Sequence, residues 1–128
     1  MQTAMKRSKQ RDAILAYLKT RTDHPTADMV YTELRKTMPS ISLGTVYRNL
    51  SQLAEYGIIL RISCDGKVDH FDATVTPHPH FFCTKCGCVL DFPLSELPSF
   101  VYTPDSFSGR VEGCHIIYYG HCEACSNL

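Results

Sequence analysis

The sequence predicts an α+β chain in two parts: an N-terminal winged helix-turn-helix, then a small α/β domain stapled by a four-cysteine zinc. Three observations predict it. Three amphipathic helical segments are followed by a β-hairpin pattern. Two C-x-x-C pairs stand far apart in the second half. The charge is divided, with ten Lys/Arg against five Asp/Glu in residues 1–62, and three against eight in residues 63–128. The zero net charge hides a basic half suited to a polyanion and an acidic half that is not. On charge alone, two ordinary solvated faces explain the asymmetry equally well, so the pattern must decide.

Ser8 is placed to cap a first helix whose stripe is Ile14, Leu15 and Leu18. In "HPTADMVYTELRK", Thr26 is the N-cap, Asp28 suits the helix dipole, and Val30, Tyr31 and Leu34 form the inner face. Pro39 bars continuation. A third helix, "SISLGTVYRNLSQLAEYG", starts at a Ser42 cap and stops at Gly57. Leu43, Val46, Leu50, Leu53 and Ala54 share its inner side. Gly44, Thr45, Arg48, Ser51 and Gln52 occupy the other, with Tyr47 on the flank. Small residues, hydroxyls, an amide and one Arg suit close approach to a major groove, although an ordinary solvated face has the same composition. The residues after Gly57 favour DNA. "IILRIS" and "KVDHFD" are strand-like runs around an Asp65-Gly66 turn, and three helices plus a hairpin make a winged helix. His70 is expected to be an ordinary strand residue.

A chain of 128 residues holds one ordinary domain or two very small ones, and small ones need a metal, disulfide or partner. Seven cysteines suggest such help. With neither a signal-peptide pattern nor an apolar run long enough to span a bilayer, the cysteines are expected as metal thiolates in a reducing cytoplasm. Cys83 and Cys86, with Cys122 and Cys125, would make a closed, structural S₄ zinc site that ties the later pair back to the strand near residue 83. Cys64, Cys88 and Cys114 are expected to be small buried residues without a ligand role, Cys88 and Cys114 on strands.

His78 and His80 flank Pro79, so on an extended segment both imidazoles face one side. Asp72 precedes them and Asp91 follows, and such nitrogen and carboxylate donors suit Fe(II), Mn(II) or Zn(II). The segment at 74–92 thus serves two sites of different character.

"HPTADMVYTELRKTMPSISLGTVYRNLSQLAEYGII", "FDATVTPHPHFFCTKCGCVLDF" and "YYGHCEAC" resemble the ferric-uptake-regulator (Fur) family of metal-dependent repressors over nearly the whole chain. The resemblance implies a DNA-binding homodimer, with a winged-helix domain at 1–71, a hinge at 72–79 and a zinc-binding dimerisation domain at 80–128. It implies structural zinc at Cys83, Cys86, Cys122 and Cys125, and a regulatory Fe(II) or Mn(II) at His24, Asp72, His78, His80 and Asp91. His24 rests on the resemblance alone. Ser42, Thr45, Tyr47, Arg48 and Gln52 are the expected contacts to a palindromic AT-rich operator in double-stranded DNA. Asp91 stands where iron sensors usually carry Glu and the peroxide sensors called PerR carry Asp. A further family metal site is replaced by Pro79, Pro98 and Cys114. Both departures point to the PerR branch, in which Fe(II) directs peroxide oxidation of a ligand histidine. An iron- or zinc-responsive Fur-type repressor is the alternative. The chain begins near what resembles the family's second helix, so the resemblance implies that the family's usual first helix and its DNA contacts are missing or truncated, and Pro93, Pro98 and Pro104 interrupt the helix expected after Asp91. A metalloenzyme or thiol oxidoreductase is disfavoured, because no acid/base residue stands beyond the ligands and no βαβ pattern surrounds either C-x-x-C. A zinc-stapled interaction module is the third reading.

Overall fold

The computed structural model describes residues 8–75, 78–92, 104–112 and 114–127. Pro93 and Pro98, and with them most of the segment expected to form an interrupted helix, lie outside the described residues. The chain is α+β and divides into two compact units, Met1–Thr76 and Pro77–Leu128.

The first unit contains helices α1 (Lys9–Lys19), α2 (Ala27–Leu34) and α3 (Leu43–Glu55), then strands β1 (Leu60–Ser63) and β2 (Asp69–Asp72). Each helix starts at a hydroxyl that takes an otherwise unpartnered backbone N–H. Ser8 Oγ accepts from Arg11 N at 3.1 Å, Thr26 Oγ1 from Met29 N at 3.3 Å, and Ser42 Oγ from Thr45 N at 3.1 Å. Helix α3 ends in a Schellman motif, with Gly57 N donating to Ala54 O and Ile58 N to Leu53 O. Gly57 holds the left-handed φ of 74° that this stop requires.

Ile14, Leu18, Val30, Leu34, Leu50 and Leu53 bring the three helices onto a common core, which Phe71 of β2 closes. Leu15, Tyr31 and Ala54 pack at its margin. Leu43 departs from its expected inward position and is 41% exposed. Ile41, just ahead of the helix, takes the core position there, and Leu43 lines a groove beside the start of α2. Asn49 is buried in its stead, its amide donating to Thr45 O at 2.9 Å, so the polar group is satisfied. Strands β1 and β2 pair antiparallel, Leu60 opposite Asp72 and Ser63 opposite Asp69. In the connecting turn, Asp65 Oδ1 accepts from the N–H groups of Lys67 and Val68, and Gly66 supplies a φ of 73°.

The second unit has strands β3 (His80–Cys83), β4 (Val89–Asp91) and β5 (Ile117–Gly120), and a one-turn helix α4 (Glu123–Ser126). The sheet order is β4-β3-β5, with β4 antiparallel and β5 parallel to β3. Cys114 precedes β5 and is exposed, where the sequence predicts a buried strand residue. Cys88 is likewise just outside its expected strand and is half-buried. Among the described residues, no helix is long and apolar enough to cross a membrane.

Candidate metal centres and nucleic-acid face

Thiols gather in the second unit because two backbone devices place them. Gly87, with a φ of 78°, lets the chain turn so that Gly87 N donates to Cys83 O and Cys83 N to Cys88 O. The parallel pairing of β5 sets Gly120 opposite Cys83, which brings Cys122 alongside. Cys86 Sγ and Cys122 Sγ are 3.8 Å apart. Bonds of about 2.3 Å in a tetrahedral zinc shell also put neighbouring sulfurs about 3.8 Å apart, so the thiols fit that ion. Backbone N–H groups of Cys86 and Cys122, each 3.4 Å from Cys83 Sγ, hold the Cys83 thiol down at about 5. The Cys122 thiol, burial, and the thiols of Cys83 and Cys86 together push Cys125 up to about 12. The ligand atoms of Cys83, Cys86, Cys88 and Cys122 all lie within 4.8 Å of one another. Cys88, expected to have no ligand role, therefore belongs to this cluster. Its spacing in C-x-x-C-G-C is the signal that could have found it.

Two further donor sets exist, one in each unit. In the first, His24 Nε2 lies 3.0 Å from Asp72 Oδ2, both side chains being buried. His24 adopts a left-handed φ of 54°, uncommon outside glycine. Its backbone is held against β2: His70 Nδ1 donates to His24 O at 2.8 Å, and Phe71 N donates to Pro25 O at 3.0 Å. His70 is thus more than an ordinary strand residue. Thr74 N donates to Asp72 Oδ1 at 2.9 Å, which orients the carboxylate. In the second unit, strand register places His80 opposite Asp91. Asp91 Oδ1 lies 2.9 Å from His78 Nε2 and 3.6 Å from His80 Nε2, and the two imidazole centroids are 4.3 Å apart. Donors about 2.1 Å from one ion and at right angles stand about 3.0 Å apart, so each set offers donors at coordination spacing.

The exposed start of α3 lines an open groove of about 750 Å³ with the start of α2 and the β1–β2 turn. Gly44, Tyr47, Arg48, Gly66 and Lys67 face it. Ser42 Oγ bonds Thr45 Oγ1 at 2.9 Å, and Arg48 Nη2 reaches the same oxygen at 3.5 Å. Gln52 departs from the expected open face, because its Oε1 accepts from Arg11 Nη2 of α1 at 2.7 Å. Sequence spacing along one helix carries no sign of that partner, nor of Lys67 at the groove.

The sequence profile of the ferric uptake regulator family matches residues 2–101. The chain is 32% identical over 126 residues to the peroxide operon regulator of Bacillus subtilis (strain 168), covering 98% of this chain and 87% of that one. The crystal structure of the Campylobacter jejuni peroxide stress regulator superposes with a TM-score of 0.69 at 31% identity, covering 91% and 88% of the two chains. The ferric uptake regulator from Francisella tularensis with iron reaches a TM-score of 0.76 over 98% of both chains at 23% identity, a likeness of fold. Profile, relatives and donor sets agree: the chain belongs to the ferric uptake regulator family of metal-responsive transcriptional repressors, which are not enzymes, pair structural zinc with regulatory iron or manganese, and bind operator DNA as dimers.

Proposed function

We propose that this chain is a peroxide-responsive repressor of the PerR type, cytoplasmic and homodimeric, which releases a palindromic AT-rich operator when a ligand histidine is oxidised. Residues 1–71 act as a winged helix-turn-helix, 72–79 as a hinge, and 80–128 as the dimerisation domain. Zinc held by Cys83, Cys86, Cys122 and Cys125 is structural, because a closed thiolate shell leaves no coordination position for chemistry. Ser42, Thr45, Tyr47 and Arg48 contact DNA from α3, while Lys67 meets the phosphate backbone from the wing. The exposed groove and the basic balance of residues 1–62 support that face.

The regulatory ion takes His24 and Asp72 from one set and His78, His80 and Asp91 from the other. One ion bound by both sets converts metal occupancy into a fixed arrangement of the recognition helices, and so into operator affinity. Five protein donors would hold such an ion and leave room beside it for a small oxidant. Iron(II), when bound, would activate peroxide beside these ligands; overall, one peroxide oxygen would pass to an imidazole, which gives up two electrons, and the other would leave as water. His24 or His78 is the side chain that takes up the oxygen, and a histidine that has done so is a poorer donor. With Mn(II), the same residues hold the active conformation without reacting.

The observation that carries this reading is Asp91, whose short carboxylate contacts both His78 and His80 from the opposite strand. A Glu there is one methylene longer and changes how the carboxylate approaches the ion. Asp91→Glu is therefore expected to keep metal-dependent operator binding, measured by gel shift, while most histidine oxidation disappears. A variant oxidised as fast as the parent would contradict the role given to Asp91. Metal-dependent binding insensitive to peroxide would favour an iron- or zinc-responsive repressor.

A further inference from the structure

We infer that Cys88 is a fifth zinc-competent thiol, so that the fourth position beside Cys83, Cys86 and Cys122 is shared between Cys88 and Cys125. The inference rests on the structural-zinc reading above and changes its ligand set. The four sulfurs of Cys83, Cys86, Cys88 and Cys122 already lie mutually within 4.8 Å, close to the roughly 3.8 Å edges of a zinc tetrahedron. Cys83, Cys86 and Cys88 belong to one short loop, closed by the Gly87–Cys83 and Cys83–Cys88 backbone bonds. Gathering three donors from so short a loop loses little chain entropy.

Cys125 is held differently. It is buried on α4, a single helical turn whose N-cap, Cys122, makes no side-chain cap bond. A lone turn has little stability of its own, so its donor is the easier one to displace. Cys88 comes directly after the glycine turn and precedes buried Val89, an anchored position. Its thiol contacts Cys86 and Cys122, two members of the set on either reading.

Zinc imposes no ligand-field geometry, and four thiolates already give the site a double negative charge. The fifth sulfur therefore stays a neutral thiol. In the exchange, the Cys88 sulfur forms a bond to zinc as the Cys125 sulfur leaves, and one proton passes from Cys88 to Cys125. No electrons change hands.

The test is iodoacetamide alkylation of the zinc-loaded full chain, read peptide by peptide in the mass spectrometer, with zinc content measured in parallel. In the parent, zinc should protect Cys83, Cys86 and Cys122 fully, and Cys88 and Cys125 partly. Cys125→Ser should retain about one zinc per chain, with Cys88 now as protected as Cys83. The Cys88→Ser/Cys125→Ser double variant should yield its zinc to EDTA about tenfold faster than either single variant. Cys88 alkylated equally fast with and without zinc overturns the inference, as does a folded Cys125→Ser that loses zinc as Cys83→Ser does. If Cys125→Ser does not fold, zinc-loaded Cys88→Ser decides: Cys125, partly protected in the parent, should become as protected as Cys83, and unchanged Cys125 protection overturns the inference. A parent that retains no zinc overturns the structural-zinc reading together with this inference, whereas zinc retained with Cys88 unprotected overturns the inference alone.

Discussion

Arg48 and Gln52 lie one turn apart on α3 but have different surroundings. Arg48 is exposed at the groove, whereas Gln52 is engaged by Arg11. Arg48→Ala should weaken operator binding by about 1–3 kcal/mol and relax specificity at one base pair, or, if Arg48 meets only phosphate, lower the salt slope by about one. Gln52→Ala should instead lower folding stability by about 1.5–3 kcal/mol, the value of a hydrogen bond to a charged group, with specificity unchanged. Fluorescence anisotropy on operator variants, beside urea melts, separates the two. At the hairpin turn, two backbone N–H groups hold the Asp65 carboxyl below its ordinary 3.8. A depressed folded pKa stabilises fully above the ordinary value and is lost as pH falls through the folded one. The Lys67 and Val68 amide resonances should therefore stay constant above 3.8 and shift only in more acid solution. A shift centred near neutral pH would contradict the turn. The same scale shows where sequence patterns run out. His70, Gln52 and Cys88 take their roles from partners distant in sequence or on a neighbouring turn, and single-residue patterns do not carry that information.

The helices were legible because their signals are local. Ser8, Thr26 and Ser42 cap where the hydroxyl-then-apolar pattern put them, and Gly57 makes the stop. Ser42→Ala should destabilise the first unit by about 1 kcal/mol, and Gly57→Ala by about the same, since a Cβ disfavours positive φ although nothing crowds it there. Thermal melts of the two variants check both. The hairpin was legible too, from two strand-like runs around its Asp-Gly turn. Leu43 lies outward because Ile41, ahead of the helix, fills the core there, which periodicity within the helix does not show. The parallel β3–β5 pairing was beyond local reading, since it joins residues separated by a long crossover. What hinted at it was chemical: two C-x-x-C pairs that must meet to share one ion.

The two units differ in how they are held. The first has a continuous apolar core of Ile14, Leu18, Val30, Leu50, Phe71 and their neighbours. Among the described residues of the second, the buried hydrophobic positions are Val89, Cys83 and Cys125, two of them thiols. A strong chelator that strips the zinc should therefore unfold residues 77–128 and dissociate dimers, while residues 9–72 keep their amide protection. Hydrogen exchange with mass detection reads both, and protection of 77–128 that survives zinc removal would contradict the staple. The central claim joins metal, oxidant and operator. It is tested most directly by loading the protein with Fe(II) or Mn(II), adding peroxide, and tracking operator binding and peptide masses in the same sample. The Fe(II) form should release the operator and gain one oxygen atom on a peptide containing His24 or His78, and the Mn(II) form should do neither. Oxygen found only on cysteines, or operator binding retained by an oxidised Fe(II) form, would contradict it.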